Sequence, residues 1–378
     1  MKEIQKRKLT KLTKSFTKTL NNATIVVSLV ILLAMLLITT IFKFDLEYSI
    51  NKYVRFDNLK TGGLTVYYID VGQGDCDFIS FENGKTMLID SGTKESSNKL
   101  VTFLVDYVYK DKPLVIDYML LTHSDVDHSG GMLDIVDIFQ VNNIFRPRIY
   151  DNYDGSMVDA NRDNFRNKMH YIKTSYYHNL IESFYAEPNC NVFFTDTDTC
   201  NNFFRDKEEN LHFYFPSKDF YSSTTNDYSP IFSLNYNNNT FLFTGDTNDK
   251  IEKSVVSDYD LPNVDFLKVA HHGSKYGTTN ELLYEINPKN AIISVGENTY
   301  GHPTNNVLNR LDKYGCNVYR TDKLGSVVVN VSDETTMQNT RTDKLYINIG
   351  YFNLGIIYYY MYFLYVSTKE NYLSNNIE

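Results

Sequence analysis

The chain has 378 residues, 42% of them hydrophobic, enough for one large domain or two small ones with a substantial core. Its net charge of −9 is uneven: residues 1–42 carry seven Lys or Arg against Glu3, a net of +6, so residues 43–378 carry −15. An acidic body of that kind is a poor general binder of polyanions, because nucleic-acid affinity rests on Lys and Arg meeting phosphates. The four cysteines, Cys76, Cys190, Cys200 and Cys316, contain no Cys-x-x-Cys pair, which argues against a zinc knuckle. Cys190 and Cys200 flank a short segment and are either free thiols or, in an oxidising space, a pair.

In chain order, residues 19–42 hold no charge, and Ile25 to Ile38 is dominated by Ile, Val, Leu and Met. Such a run spans a bilayer as a helix. The basic residues before it predict a cytoplasmic N-terminus, with the rest of the chain on the outer side of the cell membrane. A cleaved signal peptide is the rival reading. The length of the run, and the lack of an Ala-x-Ala site before Lys43, favour an uncleaved anchor over residues 1–43. Residues 44–63 read as a tether.

A domain is expected over residues 64–335. Leu64 to Ile69 alternates as a strand, and Asp70 to Asp75 is a turn after it. Asp77–Phe81 and Thr86–Asp90 read as a hairpin around Asn83-Gly84. Asn98 to Tyr109 is amphipathic and helical. Tyr118 to Leu121 is a buried strand, followed by a tight loop and a helix from about Gly131. Arg162 to Tyr185 reads as helical and Asn189 to Asn210 as a polar loop. A second hairpin around Asn237-Asn238-Asn239 delivers Gly245-Asp246 at a strand end. Asp265–Ala270 and Asn290–Val295 are predicted strands, and Asn305–Lys313 is a helix introduced by Pro303-Thr304. The C-terminal segment 336–378 contains an uncharged, Tyr-rich run at 345–368. It is either a second membrane segment with aromatic ends or a terminal segment of no clear structure.

The loop after Leu121 carries the chemistry. In Thr122-His123-Ser124-Asp125-Val126-Asp127-His128-Ser129-Gly130-Gly131, two imidazoles and two carboxylates fall within six residues at a strand end. Such a loop aims four donors at one point, and both donor types bind borderline or hard divalent ions. Its form, His-x-Asp-x-Asp-His-x-Gly-Gly, resembles the metal loop of the metallo-β-lactamase superfamily, in the Asp variant found in the C-terminal domain of ComEC-type competence proteins. Further stretches match that subgroup in order: Tyr68-Ile69-Asp70-Val71-Gly72-Gln73-Gly74-Asp75, Met87-Leu88-Ile89-Asp90-Ser91-Gly92, Phe243-Thr244-Gly245-Asp246, Leu267-Lys268-Val269-Ala270-His271-His272-Gly273-Ser274 and Tyr300-Gly301-His302-Pro303.

The resemblance implies an α+β fold, a four-layer αββα sandwich, with two divalent metal ions, zinc or manganese. It assigns one ion to His123 and Asp125, the second to Asp127 and His128, and a bridging role to Asp246. His271 or His272 completes the second site. Successive residues of a strand face opposite ways, so His271 is favoured as continuing the strand, with His272 behind it. Asp90 is expected to brace the metal loop, Asp70 and Asp75 to brace it similarly, and Gln73 to meet substrate. The histidine that most of the superfamily adds to the first site has no counterpart here. The matching stretch is Asn226-Asp227-Tyr228-Ser229, so Asn226 or water would stand in for it. Fewer nitrogens and more oxygens weaken zinc preference and leave room for manganese.

His302 is the candidate for protonating a leaving group or meeting a phosphate, against a purely structural role at the start of a helix. Lys275 is either a phosphate contact or a solvated lysine. The expected reaction is phosphodiester hydrolysis by a metal-bridging hydroxide, for which Asp127 is essential, with DNA as the substrate the resemblance suggests. A choline-phosphate esterase acting on a cell-surface polymer, and a tethered binding module without turnover, are the alternatives.

Overall fold

The computed structural model describes residues 62–109, 112–151, 170–172 and 174–340. The anchor expected at 19–42 and the apolar run at 345–368 lie outside the described residues. Among the described residues no helix is long and apolar enough to cross a membrane.

Strands β1 (Leu64–Tyr68), β2 (Asp77–Ser80), β3 (Thr86–Ile89), β4 (Val115–Leu120) and β5 (Gln140–Arg146) belong to a first sheet. A short parallel pair, β6 (Ile149–Asp151) and β7 (His170–Ile172), stands apart, and β8 (Asn191–Phe194) rejoins the first sheet. Strands β9 (Leu211–Phe215), β10 (Ile231–Tyr236), β11 (Asn239–Phe243), β12 (Phe266–Lys268), β13 (Asn290–Ile293) and β14 (Asn317–Arg320) build the second sheet. The chain then returns through β15 (Val327–Val331) and β16 (Thr335–Asn339) to the first. The order is β16-β15-β1-β2-β3-β4-β5-β8 in one sheet and β14-β13-β12-β11-β10-β9 in the other. Both sheets are mixed: β3-β4-β5-β8 and β11-β12-β13-β14 are parallel, and the remaining pairs are antiparallel.

The alternation of each strand explains the layers. Val66, Ile79, Met87, Leu120 and Phe145 of the first sheet share one core with Phe213, Phe232, Leu234, Phe241 and Phe266 of the second. The opposite faces meet helices. On the second sheet, Leu242, Leu267, Ala291 and Ile293 pack against Ile251 and Val255 of helix Asp249–Asp258, Leu282 and Leu283 of helix Asn280–Ile286, and Val307 and Leu311 of helix Asn305–Lys313. On the first, Tyr67 meets Phe103 of helix Ser97–Phe103 edge to face. The αββα arrangement expected from the motifs is therefore present.

Three local expectations differ. Of the helix expected over 162–185, residues 162–169 lie outside the described residues, Ser175–Ala186 is helical, and His170–Ile172 is a strand. The stretch 189–210, expected as a loop, holds β8 and helix Thr197–Phe204. Its polar composition hid an N-cap, Asp196 accepting from the Thr199 N–H, and an apolar face of Cys200 and Phe204. Cys200 is a buried free thiol, separate from Cys190. The sheet also runs past residue 335, since β16 pairs with β15 through Asn339.

Candidate metal centre

The parallel strands of both sheets release their loops at one edge of the sandwich. Asp90 leaves β3, His123 to His128 leave β4, Asp246 leaves β11, and His271 and His272 leave β12. Four segments distant in sequence thus meet at the C-terminal strand ends, the usual position for a site in parallel sheets.

Asp246 stands at the centre, with 2% of its surface exposed. Its Oδ1 lies 3.3 Å from His128 Nε2. Its Oδ2 lies 3.9 Å from His123 Nε2, 3.6 Å from His271 Nε2 and 3.7 Å from His272 Nε2. Asp125 Oδ2 approaches His123 Nε2 at 3.7 Å, and Asp127 Oδ2 approaches His272 Nε2 at 3.4 Å. Nε2 of His123, His128 and His272, and Oδ1 of Asp246, are buried without a hydrogen-bond partner. Orphaned polar atoms that converge in this way have a physical explanation if a cation satisfies them.

The far edge of each ring is held. His128 Nδ1 is 2.7 Å from Asp90 Oδ2, and His123 Nδ1 is 3.0 Å from Thr122 Oγ1 and 3.3 Å from Ser229 Oγ. His272 Nδ1 is 2.9 Å from the Ser294 carbonyl. A carbonyl only accepts, so Nδ1 of His272 carries a proton and its Nε2 faces the centre. Asp90 is fully buried at φ 56° and also accepts from Thr122 N–H at 2.8 Å and Thr122 Oγ1 at 2.7 Å.

The electrostatics suit a positive guest. Burial alone would raise the Asp246 carboxyl, but His128 and His272 beside it hold it well below the usual carboxylate range. Burial likewise opposes the charge on Asp125, yet its contact with His123 and the hydroxyl of Thr225 bring it down to about 2. His128, despite burial, is raised well above the ordinary histidine value by Asp246 and Asp90. His272 is raised to about 10 against its burial, by Asp246 and Asp75. His271 differs: burial lowers it.

The structure reverses the preference between the paired histidines. β12 ends at Lys268, and both histidines adopt left-handed backbone, φ 49° at His271 and 53° at His272, so strand alternation does not apply to them. His272, not His271, is the buried ring beside Asp127. His271 has a side chain 30% exposed and reaches only Asp246 among the centre's carboxylates.

Asp70 accepts from Gly72 N–H within its own turn at 3.1 Å and pairs with Lys99 at 3.3 Å. Asp75 reaches the metal loop: its N–H donates to the Asp127 carbonyl at 3.1 Å, and its Oδ1 lies 3.1 Å from His272 Nδ1. Gln73 Oε1 accepts from Gly296 N–H at 3.3 Å, while its Nε2 is buried and unpartnered. Asn226 Nδ2 points to Asp246 Oδ2 at 3.4 Å. The His302 ring sits 5.6 Å from that of His271 and 5.9 Å from the exposed Tyr300. Lys275 is exposed, with its ammonium 4.9 Å from the Tyr276 ring.

Beside the centre opens a cavity of about 300 Å³, lined by Asn226, Asp246, Asn248, Lys250, His271 and Tyr276. A cavity of similar volume among Phe81, Glu82, Asn83, Glu209 and Tyr236 holds none of the converging groups. Sequence reasoning missed Thr122, Thr225, Ser229, Lys268 and Ser294. Of these only Lys268 left a signal, a charge inside the apolar run Phe266 to Ala270.

Residues 69–200 match the metallo-β-lactamase superfamily. The chain is 28% identical over 278 residues to recombination protein 2 of Haemophilus influenzae, covering 72% of this chain and 30% of that protein. It is 25% identical over 279 residues to ComE operon protein 3 of Bacillus subtilis, covering 68% of this chain and 32% of that protein. It thus spans about a third of the length of these curated relatives. Among solved structures it is similar to the metallo-β-lactamase fold protein YhfI of Bacillus subtilis, with 12% identity, a TM-score of 0.40, and coverage of 70% of this chain and 98% of that one.

Proposed function

We propose, from a chain that carries a metallo-β-lactamase superfamily domain related to competence proteins, that it is a metal-dependent hydrolase of phosphodiester bonds. The observation that carries this reading is the convergence of orphaned imidazole nitrogens on one buried carboxylate, Asp246. His123, Asp125, Asp246 and His271 would hold one divalent ion. Asp127, His128, Asp246 and His272 would hold the other. In this reading His271 supplies the first-site nitrogen for which the sequence offers no separate histidine: both paired rings approach Asp246 Oδ2, as does His123, but only His272 also meets Asp127. Two such ions, zinc or manganese, supply an activated water at neutral pH and Lewis-acid polarisation of phosphoryl oxygens.

The protein's own residues do the rest. Asp90, Ser229 and Ser294 orient the rings. Asn226 and Lys250 on the cavity wall would receive the anionic part of the substrate, and His302, its ring 5.6 Å from that of His271, would donate a proton or hydrogen bond to a phosphoryl or leaving oxygen. DNA is the first candidate substrate, in keeping with the related competence proteins. The −15 charge of residues 43–378 favours a second reading, a small phosphodiester such as choline phosphate on a polymer. The uncharged run at 19–42 would tether the domain outside the cytoplasmic membrane.

The test is an assay of the purified chain with zinc or manganese against an aryl phosphodiester and linear DNA, with Asp127→Ala as control. Metal-dependent turnover lost in the variant supports the hydrolase, and the preferred substrate ranks the two readings. Two bound ions without turnover of either substrate would sink both.

A further inference from the structure

Lys268 ends β12 with 1% of its side chain exposed, inside a run that is otherwise apolar. A buried ammonium is costly unless it is paired. Its Nζ donates to Asp75 Oδ2 at 2.6 Å and to the Val269 carbonyl at 3.2 Å. The other oxygen of Asp75 lies 3.1 Å from His272 Nδ1. The Asp75 backbone is also committed: its N–H donates to the Asp127 carbonyl, and its carbonyl accepts from Gly92 N–H at 2.8 Å. Asp75 is thus tied to a buried cation and to the metal loop, and its second oxygen, buried without a hydrogen-bond partner, sets a negative charge against the Nδ1 edge of the histidine ring.

Asp75 comes close enough to His128, Asp246 and His272 to be counted with them as a cation cluster, within 4.8 Å. The ring argues otherwise. Asp75 meets the Nδ1 edge of His272, which the Ser294 carbonyl also holds, whereas Asp127 and Asp246 meet the Nε2 edge. Asp75 therefore approaches the ligand ring from its Nδ1 edge, opposite the edge that meets Asp127 and Asp246.

We propose that Lys268 is a positioning residue for the metal centre: through Asp75 it fixes the His272 ring with Nε2 aimed at Asp127 and Asp246. The proposal rests on the two-metal reading above. It extends the support of that centre from the loop beside it to a lysine on the second sheet.

A merely structural ion pair would lower stability and leave metal affinity alone. The experiment uses the full chain, with Lys268→Met and the double variant Asp75→Leu/Lys268→Met. The single variant leaves Asp75 buried without its cation and can fail to fold. The double variant removes both charges at similar volume and is the one that keeps the fold. Circular dichroism and thermal melting report folding. Competition with a chromogenic chelator reports the affinity and number of zinc ions. Expected is a folded double variant that binds one ion as the parent does and the other about 10- to 100-fold more weakly. A folded double variant with both ions at parental affinity overturns the proposal. A parent that binds no zinc overturns the two-metal reading itself, and the proposal with it.

Discussion

Asp90 Oδ2 sits 2.7 Å from His128 Nδ1, and the same carboxylate accepts two hydrogen bonds from Thr122. One residue at the end of β3 therefore holds both the metal loop's first turn and the ring of one of its ligands. Asp90→Asn keeps the shape but weakens the bond to the imidazole. Metal affinity is expected to fall about 10- to 100-fold, and stability by roughly 2–3 kcal/mol, since a buried charge-assisted bond is lost. Chelator competition and chemical unfolding measure the two effects. Unchanged affinity would show that the ring needs no such brace.

The paired histidines are expected to serve different ions. Elemental analysis of His272→Ala should show loss of the ion shared with Asp127. His271→Ala should lose the ion shared with Asp125, at a smaller cost in melting temperature because its ring is partly exposed. If both variants lose the same equivalent, the division between the two sites is wrong.

Gly74 approaches the metal loop so closely that a Cβ would fall 2.3 Å from the Asp127 carbonyl oxygen, and its φ of 144° already disfavours a side chain. Gly74→Ala must push the two loops apart. Expected are a loss of roughly 2–4 kcal/mol, as for a strained, overpacked site, and weaker binding of the ion at Asp127. A variant with parental melting temperature and metal content would contradict this.

Glu252 makes the pH dependence of stability run opposite to the usual carboxylate. Its burial raises it to about 7, although the N–H groups of Thr278 and Thr279 donate to it at 2.6 and 2.7 Å. The folded chain therefore holds this proton more tightly than the unfolded chain, where the value is 4.5. Its contribution falls as pH rises from about 4.5 to about 7 and is constant above, by up to roughly 3 kcal/mol. Unfolding titrations of the parent and Glu252→Gln across that window should diverge with pH. Parallel curves would refute the shift.

Lys250 lines the cavity beside Asp246 without touching the converging rings. Lys250→Ala is expected to raise KM for an anionic substrate several-fold while kcat and metal content stay near parental values, the pattern of a lost ground-state contact. A fall in kcat alone would place Lys250 in the chemistry instead.

The metal loop was legible because its four donors are neighbours in the chain, between an apolar strand and a Gly-Gly pair. The ordered motifs carried the αββα arrangement for the same reason: each is a strand with the turn that follows it. Helix Thr197–Phe204 was not legible. Its apolar face rests on few residues, and its start depends on an Asp196 cap that reads as loop chemistry in isolation.

By itself the sequence brought out a candidate donor set, its place at strand ends and the absence of a histidine from Asn226 to Ser229, all properties of local order. Only the tertiary structure decided which of His271 and His272 lies buried beside Asp127, that Asp70 pairs with Lys99, and that Lys268 stands behind Asp75. Those outcomes depend on a left-handed turn after Lys268 and on contacts across 193 residues of chain between Asp75 and Lys268. No local pattern encodes such contacts, because they exist only once two sheets pack face to face.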